Sequence, residues 1–254
     1  MAADNGHRHW EQGSMPRKNG IEKHKSAVFL DLDGVLLEKE FGESFAVFCM
    51  DLLRKRVLGF HDIIWIWIRS RLWRRGIAVN VNTDAIARRV AMRLKGMEVG
   101  KILESEINAA KHLRLMHGAR EFIEWLKKHY NVYIITGSFQ SMADYFGRLF
   151  GVEAFGTRLE KRSGLFTGRI ELVMNQNNKA SMAIAIARRT HIDLASSFAL
   201  GDQIEDSKML GVVGNPICVK PGRGLIKFNC GRWKTVHSLA DAMTEIRQKT
   251  EGCR

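Results

Sequence analysis

In Ala27-Val28-Phe29-Leu30-Asp31-Leu32-Asp33-Gly34, four apolar residues run without a break into two carboxylates and a turn-forming glycine. An uninterrupted apolar run closed by turn residues predicts a strand buried on both faces, the kind found inside parallel sheets. In open α/β sheets the functional groups gather at the carboxyl ends of such strands. Asp31 and Asp33 therefore become the first candidate site residues.

The same pattern returns downstream. Residues 132–135 form a second apolar run, followed by Thr136-Gly137-Ser138 and a helical pattern through Met142, Tyr145, Phe146 and Leu149. Residues 152–157 read as another strand. Residues 165–172, with Thr167-Gly168-Arg169 at their centre, suggest a short antiparallel hairpin. Lys179 opens an alanine-rich helix running to about Thr190, residues 197–200 form a strand ending at Gly201-Asp202, and residues 217–219 form one more. Strand and helix in alternation predict an α/β class with a Rossmann-like, mainly parallel sheet.

One interval is too long for this scheme. Asp31 and Thr136 are separated by 105 residues, whereas a strand-helix-strand crossover takes roughly 30. Helical periodicity recurs within it: apolar residues at 45, 48, 49, 52 and 53, a Trp- and Arg-rich segment over 62–75, and a helix over 83–95 stopped by Gly96. Residues 38–115 are expected to be an all-helical insertion standing over the carboxyl end of the sheet. The core then comprises 26–37 and 116–254, opening after the insertion with a helix over 119–129. Residues 1–25 have almost no apolar periodicity and are expected to be a mobile polar tail.

Composition removes several classes. The 254 residues are 45% hydrophobic and 26% charged, with 3 Pro and 23 Gly, which fits an ordinary globular chain and excludes collagen-like or wholly disordered ones. The four cysteines have no C-x-x-C spacing, which argues against a zinc site or a disulfide framework and for a reducing compartment. The longest apolar run, residues 63–68, is far short of the roughly 20 residues of a spanning helix. The polar amino terminus shows no secretory signal, so a cytoplasmic location is expected.

The net charge of +13 is unevenly placed. Between Asp51 and Lys101 there are 12 Lys and Arg against 4 acidic residues, a local net of +8 inside the expected insertion. Such a field concentrates anionic partners. Trp65, Trp67 and Trp73 stand among Arg69, Arg71, Arg74 and Arg75, a mixture suited to the headgroup layer of a membrane. The alternative is a helix that packs its tryptophans on its neighbours. An anionic lipid surface is thus a candidate partner, with the protein peripheral to it, and nucleic acid is not expected. No oligomeric state is specified by the pattern.

Asp202 and Asp206 end a later strand as Asp31 and Asp33 end the first, so the four carboxylates should converge. Like charges that close require a cation, and oxygen-only ligands suit Mg²⁺ better than zinc. Thr136, before a helix N-terminus, and Lys179 at a helix start are fit to hold a phosphate. Each element alone is commonplace: D-x-D is usually a surface turn, Thr-Gly-Ser a helix cap, a single Lys a solvated side chain. Their order is what carries weight.

Asp31-Leu32-Asp33-Gly34-Val35, Thr136, Lys179 and Gly201-Asp202-Gln203-Ile204-Glu205-Asp206 resemble the four motifs of the haloacid-dehalogenase-like superfamily. His117-Gly118-Ala119-Arg120-Glu121, Phe166-Thr167-Gly168-Arg169-Ile170 and Gly214-Asn215-Pro216 are similar to its phosphoserine-phosphatase-like branch, whose members carry a helical cap between the first two motifs. The resemblance implies a phosphate monoester substrate and Mg²⁺ as cofactor. It implies Asp31 as nucleophile and Asp33 as general acid and base. The metal would be held by Asp31, Asp202 and the Asp33 main-chain carbonyl, the phosphate by Thr136, Gly137 and Lys179, with Asp206 in support. Val35 stands where many members have Thr, and Glu205 where phosphoserine phosphatases usually have Asn. A lipid phosphate such as a phosphatidylglycerophosphate-like ester is the alternative substrate. A non-catalytic basic binding module on the same scaffold is the rival class, which the intact acidic set disfavours.

Overall fold

The computed structural model describes residues 24–39, 43–75 and 77–251, the side chains of Trp73, Arg74 and Asn80 excepted. The expected tail over 1–25 therefore lies almost wholly outside the described residues. At the centre is β1 (Ala27–Leu30), every residue of which is buried. It pairs in parallel with β2 (Asn131–Phe139) on one side and with β5 (Phe198–Gly201) on the other. Among the described residues the sheet has seven strands, adding β3 (Glu153–Arg162), β4 (Leu165–Leu172), β6 (Asn215–Val219) and β7 (Lys234–Val236) in the order β4-β3-β2-β1-β5-β6-β7. All neighbours are parallel except β3 and β4. The chain leaves β1 toward β2 and later returns to its other side at β5, so the strand order reverses at β1. A crevice opens at such a point.

Because side chains alternate across a strand, β1 feeds two cores. Val28 and Leu30 pack with Phe122 and Ile123 of α5 (Ala119–Lys127), Phe146 of α6 (Gln140–Phe150) and Ile246 of α10 (Leu239–Glu251). Ala27 and Phe29 face the other way, onto Met182 and Ile186 of α7 (Gln176–Thr190), Leu210 of α8 (Ser207–Leu210) and Leu225 of α9 (Arg223–Asn229). Burying one such side chain is worth roughly 1.5–3 kcal/mol, and β1 has no polar face to set against it.

Between β1 and α5 lie four helices, α1 (Ser44–Arg54), α2 (Phe60–Arg74), α3 (Val79–Leu94) and α4 (Val99–Lys111). They enclose a third core of Phe48, Leu52, Ile66, Ile86, Val90, Leu94 and Ile102, which closes on Phe139 of β2 and Phe166 of β4. The link from α3 to α4 also bonds to the β4 side of the sheet, with Phe166 N–H donating to Met97 O over 3.0 Å and Gly96 N–H to Phe166 O over 2.8 Å. That contact covers an edge strand otherwise open to pairing.

Two local expectations are corrected. Residues 165–172 are one strand, not a hairpin centred on Thr167-Gly168-Arg169. The turn is at Ser163 and Gly164, with φ of 51° and 78°, and β4 pairs back onto β3 with an irregular register. Lys179 does not open its helix. α7 starts at Gln176, capped by the Asn175 side chain accepting from Asn178 N–H over 3.0 Å, which leaves Lys179 a turn inside and buried.

Candidate active site

The end of β1 is held between its neighbours, with Asp31 N–H donating to Leu200 O of β5 over 3.0 Å. This places the buried Asp31 carboxylate at the middle of the sheet edge. Lys179 Nζ donates to Asp31 Oδ1 over 2.8 Å and to Asp206 Oδ1 over 2.6 Å. The other Asp206 oxygen accepts the Asp202 and Gln203 N–H groups, each over 3.0 Å. Asp206 is thus fully engaged in shaping the loop after β5. Gly201 permits this fold-back, since a Cβ there would meet Asp206 Cβ at 2.4 Å.

Asp202 differs from Asp206. Its Oδ2 accepts from Lys39 Nζ over 2.6 Å and from Gln203 Nε2 over 3.0 Å, while its Oδ1 is buried with no partner among the described residues. Oxygens of Asp31, Asp202 and Asp206 all lie within 4.8 Å of one another. Burial pushes the Asp202 carboxyl up to about 7 even with Lys39 beside it. Burial, then Asp206, raises Asp31 well above the usual carboxylate range, against the pull of Lys179. An orphaned buried oxygen among oxygen-only donors that resist ionising fits a hard divalent cation such as Mg²⁺. Gly34 lets the next loop approach this group: its φ is +80°, and a Cβ there would meet Asp202 Oδ2 at 2.5 Å.

Asp33 points elsewhere. Its carboxylate accepts Ser44 N–H over 2.7 Å and Ser44 Oγ–H over 2.5 Å, at the start of α1. Ser44 Oγ also contacts Ser138 Oγ of β2. Burial and then Glu43 raise the Asp33 carboxyl, outweighing the Ser44 hydrogen bonds. Glu205 is raised well above the usual range by burial and then by Asp206, and its Oε2 has no partner among the described residues. For Lys179, burial alone would favour the neutral amine, but Asp206 and Asp31 outweigh it and hold the ammonium charged.

Thr136 and Gly137 are inside β2, not at a helix start. The strand continues to Phe139, but its pairing with β3 is irregular between Ile135 and Phe139. Thr136 is buried, and its Oγ1 accepts Ser138 N–H over 3.2 Å. Asp31, Asp33, Thr136, Gly137 and Lys179 all line one cavity of about 120 Å³, which rises from the carboxylates between α1, α2 and α3. Asp202 and Asp206 stand behind Lys39 and Lys179. Lys39 and Ser44 are site groups that no motif marks: a lone Lys and a lone Ser have no signature until packing brings them to the carboxylates, whereas Ser138 stands in the Thr-Gly-Ser stretch.

The basic cluster divides. Arg89 Nε and Arg93 Nε bond the fully buried Asp62 over 2.6 and 3.0 Å, and Arg69 bonds Asn82, so three arginines tie α2 to α3. Arg71 instead lies over the ring of the exposed Trp67, 4.7 Å from its centroid. Trp73 and Arg74 have no described side chains.

Residues 28–211 match the family model described as haloacid dehalogenase-like hydrolase. A phosphoserine phosphatase of Archaeoglobus fulgidus is 29% identical over 198 residues, 76% of this chain and 52% of that one. One from Methanocaldococcus jannaschii is 26% identical over 206 residues, 79% of this chain and 89% of that one. The chain thus spans about half the length of the first relative and most of the second. Among solved structures, a phospho-aspartyl intermediate analogue of phosphoserine phosphatase has the same fold, with a TM-score of 0.68 and 21% identity over 88% of this chain and 100% of that one.

The chain belongs to the haloacid dehalogenase-like hydrolase family. In sequence it is similar to phosphoserine phosphatases of that family, and it shares their fold.

Proposed function

We propose that the protein hydrolyses phosphate monoesters with Mg²⁺ through an aspartyl-phosphate. The observation that carries this reading is the convergence of Asp31, Asp202 and Asp206 around a buried Asp202 oxygen that has no partner among the described residues, with Lys179 bridging Asp31 and Asp206. An Asp31 oxygen attacks phosphorus as the bond from phosphorus to the ester oxygen breaks. The Asp33 carboxyl, raised by burial and held by Ser44, gives its proton to the departing alcohol. Asp33, now a carboxylate, takes a proton from water as that water attacks the phosphorus, returning Asp31 and releasing inorganic phosphate. Thr136 Oγ–H, Gly137 N–H and Lys179 hold the phosphoryl oxygens. Asp31, Asp202 and the Asp33 main-chain carbonyl would hold Mg²⁺, which when bound offsets the repulsion between an anionic nucleophile and an anionic ester. Helices α1 to α4 act as the cap that selects the alcohol. Hydrolysis of p-nitrophenyl phosphate that needs Mg²⁺ and stops in excess chelator is the expected result; equal rates with and without the metal overturn the reading.

A second reading places the enzyme in the cytoplasm at an anionic membrane surface, acting on a lipid phosphate. Phe60, Ile64, Trp67 and Ile68 of α2 are all exposed, Trp67 by 57%. At 3.6 residues per turn they fall, with the exposed Arg71, within an arc of about 100° on one helix face, and Arg75 just past the helix end continues the same line. Ile66 and Ser70, on the opposite side, line the cavity. An apolar stripe carrying two arginines complements anionic headgroups, whereas docking on a second copy would oppose like charges. Among the described residues no helix is long and apolar enough to cross a membrane.

A further inference from the structure

Above the carboxylates the cavity changes character. Its walls there include Phe45, Ile66, Ile86, Ala87, Phe139 and Met174, with the uncharged hydroxyls of Ser70, Thr83 and Thr157 among them. Among the described residues that line it there is no arginine, and both lysines already face carboxylates. Lys179 lies between Asp31 and Asp206, and Lys39 is 2.6 Å from Asp202 and 3.7 Å from Glu43. Asp31, Asp33, Glu43 and Glu205 line the same space.

An amino-acid leaving group such as serine carries its own carboxylate. Seated here, that carboxylate would leave water for an apolar wall and four acidic neighbours, with no uncommitted cation among the described lining residues to meet it. An alkyl or aryl body meets no such obstacle and gains by leaving water. The cavity of about 120 Å³ has room for on the order of ten water-sized groups, enough for a phosphoryl group and a short chain or a ring.

We propose that the alcohol released by this site is apolar, aliphatic or aromatic, and that the helical wall of Phe45, Ile66, Ile86 and Phe139 selects it. This rests on the phosphomonoester reading above and specifies its substrate class. The wall lies beyond the phosphoryl-holding groups, so it discriminates among alcohols without touching the reacting oxygens.

The test is a chain-length series, with ethyl, butyl and hexyl phosphate, p-nitrophenyl phosphate and O-phosphoserine assayed side by side in Mg²⁺. Transfer of each methylene onto the wall should raise kcat/KM about fourfold until the cavity is filled, and O-phosphoserine should be at least about tenfold poorer than butyl phosphate. Ile86→Gln should flatten the series. Phe45→Leu, a smaller change at a partly buried position that packs on Phe139, should flatten it in the same direction. No turnover of p-nitrophenyl phosphate defeats the phosphatase reading itself. Turnover of it with a flat alkyl series, or with O-phosphoserine the best ester, overturns this inference and leaves that reading standing.

Discussion

Lys179 reaches Asp206 across 2.6 Å in a place where neither side chain meets water. With its second contact to Asp31, this one ammonium locks α7 to the end of β1 and to the loop after β5. Replacing it with Met, of similar volume, leaves two buried carboxylates without their cation. The expected loss is about 3–5 kcal/mol in urea unfolding, because breaking one side of a buried pair strands the other. An unfolding midpoint equal to the parent's would mean that the two carboxylates are neutral in the folded protein.

Asp31→Asn removes charge from a crowded acidic cluster, so stability should hold or rise slightly. The nucleophile is lost with it, and Mg²⁺-dependent hydrolysis of p-nitrophenyl phosphate should fall by at least about a thousandfold. The pair of measurements is a rate and a thermal midpoint. A variant that folds and still turns over at the parent's rate removes Asp31 from the reaction.

Asp33→Asn should behave otherwise. Asn keeps acceptor contact with Ser44 and retains the main-chain carbonyl, but it has no proton to give. The loss should be steepest for alkyl phosphates, whose leaving oxygens need protonation, and milder for the nitrophenyl ester. Equal losses across that series would deny Asp33 the role of general acid.

What could be read before folding follows from how locally each feature is encoded. β1 and its carboxylates are legible because a buried parallel strand is apolar at every position, and Thr136, Lys179, Asp202 and Asp206 follow in motif order. Thr167-Gly168-Arg169 mimics a turn in sequence, whereas Gly168, with φ of +84°, sits in an irregular strand. α10 shows only Leu239, Ala242 and Ile246 as buried residues in a polar segment, and β7 is three residues long, so neither announces itself. Nor can a charge count separate Arg89 and Arg93, which bond the buried Asp62, from Arg71 on the outer face. That division is made by which side of α2 faces α3.

Glu106 of α4 gives a pH signature away from the site. It is buried and accepts a hydrogen bond from Ser141 of α6, and burial raises its carboxyl from 4.5 to about 7. Across that window the unfolded chain binds fewer protons than the folded one, so this group makes stability fall as pH rises, levelling off above about 7. Glu106→Gln should match the parent near pH 4 and exceed it by roughly 3 kcal/mol at pH 8. Parallel stability curves for the two proteins across that range would show that Glu106 ionises normally.

The outer face of α2 can be tested apart from catalysis. Phe60, Ile64, Trp67 and Ile68 offer apolar area, and Arg71 and Arg75 bring charge to the same side. Each basic residue at an anionic surface contributes about 1 kcal/mol. Replacing both arginines with Gln should therefore weaken sedimentation with phosphatidylserine-rich vesicles roughly ten- to thirtyfold, and raised salt should mimic the effect. Trp67→Ser should weaken binding with little change in its salt dependence, since it removes buried area and not charge. Hydrolysis of p-nitrophenyl phosphate should hold in all of these, because the cavity is lined from the opposite side of the helix by Ile66 and Ser70. If the parent fails to sediment with vesicles at low salt, the stripe is not a membrane contact. If it instead elutes as a dimer that Trp67→Ser breaks, a second copy covers the stripe and the lipid-phosphate reading loses its support.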